Sequence, residues 1–233
     1  MIYFNSVALE SVAPVKIEDI RVSPIRMSAV ARQRPVRFGS DFVRMSGGNR
    51  TVTITFALHT MDMALREKQL RAIVKWARSD RPGRLMLPYR DNMYLECACT
   101  SLPEPSTRQW WESKLALVFT TFNNPYWTAT YEKSIACGTA FTVLGDAPPL
   151  MQIKRTVSGS AASNQAYTDG SDTMTFSTIP VGNMVIDLNN QTAAVGTDSI
   201  MQYYSYDSTF IQPHTGTQTI TGTGTVYWRE RWE

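Results

Sequence analysis

The sequence predicts a mainly β protein of two domains: an α+β first domain with a single helix, and a second domain that is a β-sandwich. Three observations carry that expectation. Only one stretch, Met61 to Asp80, is amphipathic at helical period. Elsewhere the chain reads as short alternating runs broken by turn residues. Charge also changes sign along the 233 residues: positions 1–133 hold 19 Lys+Arg against 12 Asp+Glu, a net +7, and positions 134–233 hold 4 against 8, a net −4. The expected domains are therefore 1–133 and 134–233, two bodies with different neighbours. A chain of this length hides roughly 70% of its unfolded surface without needing a disulfide or a structural metal.

Residues 2–7 and 14–22 read as strands. The stretch from Ser23 to Asn49 is rich in arginine, poor in periodicity and closed by the turn Gly47-Gly48-Asn49. So long an irregular segment in a compact domain is unusual and often functional. It fits a projecting hairpin that is ordered against a partner. Thr51 to Leu58 is the cleanest strand, with Val52, Ile54, Phe56 and Leu58 on one face and Thr51, Thr53, Thr55 and Ala57 on the other.

The helix follows. Met63, Leu70, Ile73, Val74 and Ala77 share its apolar side, with Leu65 and Trp76 as a shoulder and Glu67, Lys68, Arg71, Lys75 and Arg78 opposite. Thr60 or Asp62 caps its start, Glu67 pairs with Arg71, Lys75 and Arg78 suit its negative end, and Arg81-Pro82-Gly83 stops it. Leu85 to Leu87 and Met93 to Thr100 are strands around an Asp91-Asn92 turn. Ser101 to Trp111, with two prolines, is a loop. Lys114 to Phe122 is apolar on both faces, hence a central strand. Beyond Ser134 the expected strands are Met151–Val157, Thr173–Ile179, Met184–Leu188, Thr192–Val195, Ile200–Tyr204, Thr217–Thr221 and Thr225–Trp232. A hairpin tip falls at Asn189-Asn190, and the many short strands suit a sandwich.

Catalytic, metal and cofactor chemistry find little support. His59 ends a strand and His214 lies in the turn Pro213-His214-Thr215-Gly216. No Gly-x-Ser-x-Gly elbow, phosphate-binding Gly-rich loop or His-Glu-x-x-His motif occurs. Cys97 and Cys99 share a strand face but lack the further ligands a metal needs. With Cys137 they make an odd count, so reduced thiols packed in the core are expected. Asp169-Gly170-Ser171-Asp172 lacks the later glutamate of a calcium loop and reads as a turn. No run of about 18 apolar residues exists to span a membrane, and the N-terminus lacks the basic leader and apolar core of a signal peptide.

Two groups of residues remain. Arg26, Arg32, Arg34, Arg37 and Arg44, interleaved with Phe38 and Phe42, could clamp phosphates with aromatic stacking. Alternatively they form a subunit interface, where arginine and aromatics are favoured over lysine. Every basic residue from 21 to 50 is arginine, which favours the interface. Tyr203, Tyr204, Tyr206 and Phe210, if they alternate on one strand, form a stacking platform for a glycan or a partner.

In order along the chain, PVKIEDI, RQRPVRFGSDF ending at Gly47-Gly48, TVTITFAL, KWARSDRPGRLMLPYRDNMYLECAC, LALVFTTFNNPYW, VIDLNNQTAAV and the terminal YWRERW resemble the distal tail (Dit) proteins of long-tailed phages. The resemblance spans nearly the whole chain. It implies a galectin-like C-terminal sandwich and a non-enzymatic virion protein, made in the host cytoplasm and placed at the distal end of the tail. It further implies a hexameric ring between the tail tube protein and the tail-tip hub, with a passage through which DNA moves unbound. Receptor-binding or side-fibre proteins are implied outer partners, and no cofactor is implied. Direct sugar binding through the C-terminal sandwich is the alternative. It is weakened because residues 134–227 hold one His, one Arg and no Trp.

Overall fold

The computed structural model describes residues 1–25, 27–33, 40–60, 62–103, 114–122 and 124–233, with 27–33 and 40–47 described by backbone alone. The chain divides into two compact units, Met1–Trp127 and Thr128–Trp232. The division precedes the expected one at 133/134 because the intervening residues belong to the second unit: Glu132 forms ion pairs with Lys154 and Arg229, and Lys133 pairs with Glu230.

The first unit holds β1 (Tyr3–Phe4), β2 (Val7–Ala8), α1 (Leu9–Val12), β3 (Val15–Val22), β4 (Met27–Gln33), β5 (Ser40–Gly47), β6 (Thr51–Leu58), α2 (Met63–Ala77), β7 (Gly83–Met86), β8 (Met93–Ser101) and β9 (Leu115–Thr121). Its sheet runs β2-β1-β7-β8-β9-β6-β3 with every neighbour antiparallel. β9 is central, as its two-faced apolar pattern predicts, and β6 buries Val52, Ile54, Phe56 and Leu58 while its threonines face outward. Between β1 and β2, Asn5 and Ser6 take positive φ (49 and 68) and make the two-residue hairpin turn that such φ values allow.

α2 is shorter than the periodicity suggests. Asp62 starts it, its Oδ1 accepting from the Ala64 and Leu65 N–H groups at 2.9 and 3.3 Å. It ends at Ala77 because Arg78 turns extended. Leu70, Ile73 and Ala77 are buried, whereas Met63, in the first turn, is 65% exposed and Leu65 43%. Trp76 is more than a shoulder. It meets Phe4 edge-on at 5.8 Å and Phe119 at 6.2 Å, and its Nε1 donates to the Val7 carbonyl at 2.9 Å. One ring thereby packs the helix against the sheet while its polar atom is satisfied.

β10 (Trp127–Ala129) carries the division. The second unit continues with β11 (Lys133–Ala136), β12 (Phe141–Val143), β13 (Ala147–Val157), β14 (Ala162–Thr168), β15 (Thr173–Ile179), β16 (Gly182–Asp187), β17 (Thr192–Val195), β18 (Asp198–Ser199), β19 (Gly216–Gln218) and β20 (Thr225–Trp232). One sheet runs β18-β17-β16-β13-β20-β11. The pairs β12–β19 and β14–β15 supply the rest, with a Thr168–Thr221 bridge between them. Met151, Ile153, Ile186, Val226 and Trp228 from the first set share one core with Tyr167, Met174 and Phe176 from the second and with Ile220 just beyond β19.

The strand expected over Ile200–Tyr204 is instead a single 3₁₀ turn, Met201–Tyr203. The Tyr203 and Tyr204 N–H groups donate to Ile200 and Met201, and Tyr204 alone bridges to Phe176. Aromatic residues gave this run its strand propensity, but no continuous ladder receives it.

Candidate assembly surfaces

The arginine-rich stretch folds into a ribbon wherever it is described. β4 and β5 pair from Met27–Gly47 to Gln33–Ser40, with a bulge between Val30 and Ala31. Among the described residues neither strand pairs with any other. A lone two-stranded ribbon is marginal in water, and its open edges are unsatisfied donors and acceptors. Arg26, Arg34, Arg37 and Phe38 lie outside the described residues. Arg32, Phe42 and Arg44 are placed by backbone, opposite Asp41, Ala31 and Val30. The flanking arginines differ from one another. Arg21 is exposed, with Nε 2.6 Å from Asp19 Oδ2, whereas Arg50 is 4% exposed and belongs with the core.

A second basic surface follows from α2. Residues 66–84 carry seven Lys and Arg against Glu67 and Asp80. Lys68, Arg71, Lys75 and Arg78 are exposed along the helix, and Arg71 pairs with Glu67 one turn back. Beside them a groove of about 670 Å³ has Leu70 and Val74 on its floor.

The aromatic group in the second unit does not share one face. Phe210 is 7% exposed and stacks on Tyr204 at 4.9 Å, and Tyr204 meets Phe176 at 5.5 Å. Burial raises the Tyr204 phenol above its ordinary value, with the carboxylate of Asp172 adding to the rise. Tyr203 is half-buried, and only Tyr206, 98% exposed, stands clear.

The sequence also conceals a buried carboxylate. Glu230, 2% exposed, lies 2.7 Å from Lys133 Nζ and accepts from the Leu144 N–H at 3.2 Å. Parity in YWRERW is the readable signal, since Val226, Trp228 and Glu230 all point inward.

Cys97 is fully buried, and burial, with Cys99 and Glu96 adding to it, pushes its thiol far up. Burial also raises Cys99, partly offset by the backbone at Ser101 and Val118, and raises Cys137. All three are free thiols. Among the described residues no group of His, Cys, Asp and Glu could hold a metal, and no helix is long and apolar enough to cross a membrane. His59 is exposed, and exposed His214 lies 2.8 Å from the Thr215 carbonyl. The Asp169–Asp172 turn is closed by Asp169 Oδ1, which accepts from the Ser171 and Asp172 N–H groups.

No family model and no curated protein matches the sequence. Among solved structures, SPP1 Dit, described as a paradigm of the hub adsorption apparatus in phages infecting Gram-positive bacteria, superposes with a TM-score of 0.76. The alignment covers 100% of this chain and 98% of that one at 12% identity. The chain has the fold of SPP1 Dit. A chain of the phage P2 baseplate, in its activated conformation with Ca, matches at TM-score 0.50 and 8% identity, over 96% and 92% of the two chains. Because the Dit fold is matched end to end, the arginine hairpin, the helix and the sandwich all fall within it.

Proposed function

We propose that this chain is a structural subunit of a phage tail tip. It assembles as a hexameric ring that joins the tail tube protein to the tail-tip hub and leaves a central passage for DNA. The observation that carries this is the whole-chain likeness to SPP1 Dit, which takes in both units at once. Two features of the chain support it. The β4–β5 ribbon has open edges and no third strand among the described residues, so a neighbouring subunit is its natural completion. The opposite charges of the two halves favour a head-to-tail contact, which closes into a ring when each copy presents two different surfaces.

Work by geometry rather than catalysis suits a molecule whose free thiols are buried or half-buried and whose two histidines belong to different units. The arginines of the ribbon are assigned to the subunit contact and not to the passage, because a cationic lining would hold DNA back. Receptor-binding or side-fibre proteins are the outer partners in this reading, and the tail end of the virion is its location. The glycan alternative has less support, since three of its four aromatic residues turn into the body of the sandwich.

Native mass measurement of the purified 26.2 kDa chain tests the reading. A discrete six-copy species supports it. A monomer at every concentration, also in the presence of tail tube or hub protein, overturns it.

A further inference from the structure

Residues 156–228 contain no lysine or arginine and five aspartates, Asp169, Asp172, Asp187, Asp198 and Asp207. A stretch whose charged residues are all acidic favours a partner that supplies the opposite sign. Within it the turn from Ser205 to Thr209 projects Tyr206, 98% exposed, into solvent.

The turn is firmly held. The N–H groups of Ser205 and Thr209 donate to the carbonyls of Thr175 and Thr173 at 2.9 Å, and Ser208 Oγ accepts from the Thr175 N–H at 2.9 Å. Beneath it, Phe210 stacked on Tyr204 fills the core margin. These bonds tie the turn that carries Asp207 to the start of β15. An exposed tyrosine on a held backbone, beside Asp207 in the chain, has the character of an interface anchor: a large contact area and a ring face that attracts cations. Sugar stacking fits it less well, because one isolated ring offers no second wall.

We infer that the Tyr206 turn docks on the basic outer face of α2 in a second copy of this chain. That face supplies the opposite charge through Lys68, Arg71, Lys75 and Arg78, and an apolar floor through Leu70 and Val74. The inference rests on the ring reading and adds to it a contact separate from the ribbon. The contact is heterologous, acidic turn to basic helix, as ring closure requires.

Three measurements on the full chain test it. Tyr206→Ala, which removes a side chain that is 98% exposed, leaves the melting temperature unchanged and raises the half-assembly concentration roughly tenfold. Asp207→Lys weakens assembly similarly, and adding Lys75→Glu in the same chain recovers part of the loss. With a photo-reactive phenylalanine at position 206, the linked dimers map to residues 63–84 of the other copy. If the wild type assembles but Tyr206→Ala assembles equally well, or the adducts map elsewhere or stay within one chain, this inference fails and the ring reading stands. If the wild type never assembles, both fail.

Discussion

Glycine at position 145 is required by what lies across from it. A Cβ there would overlap the backbone carbonyl oxygen of Arg231, and backbone cannot swing aside as a flexible side chain can. Gly145→Ala is expected to cost about 2–3 kcal/mol of stability by overpacking. Gly138→Ala, at φ +87 with open space around it, should cost only about 1–2 kcal/mol, from the left-handed backbone alone. Chemical denaturation of the two variants checks the order.

Cys97 gives a pH prediction at the same scale. Its thiol is raised in the folded chain, so the folded protein keeps the proton that the unfolded chain releases near the ordinary thiol value. Its contribution is complete below that value and declines as pH climbs through it. Cys97→Ala should flatten the alkaline fall in stability, read from melting temperatures between neutral and strongly alkaline pH.

Individual elements show how local chemistry becomes architecture. The cap on α2 is one carboxylate accepting two backbone N–H groups, and Asp62→Ala should cost about 1 kcal/mol. Trp76→Ala should cost more, about 3 kcal/mol, because it removes packing against both Phe4 and Phe119. Thermal melts of the two variants test the difference.

β6 and α2 are legible in the sequence because each repeats its period over at least two turns or three alternations, and β9 because its apolar run is unbroken on both faces. β14 is not, since Tyr167 is its one buried side chain and the rest is polar or alanine. β11 and β12 are too short to show a period, and α1 is a single turn between strands. The 3₁₀ turn at Met201–Tyr203 was hidden by aromatic residues whose strand preference depends on a neighbour that is not there. The same misreading placed Tyr203, Tyr204, Tyr206 and Phe210 on one face. The ribbon is readable from its arginines and closing glycines, while the charge on the exposed face of α2 is readable only as the polar side of a helix.

At the scale of the molecule, the proposed ring rests on two units of opposite charge, one bearing a ribbon that pairs with no third strand among the described residues. Replacing Arg32, Arg34 and Arg37 together by Glu should abolish assembly and leave the far-ultraviolet circular dichroism of the monomer intact. Sedimentation of the triple variant beside the wild type separates loss of contact from loss of fold. The most direct measurement is class-averaged negative-stain imaging of the purified wild-type particle. The account predicts rings with six-fold symmetry and an open centre. Single small particles, or open filaments without a closed ring, would contradict it.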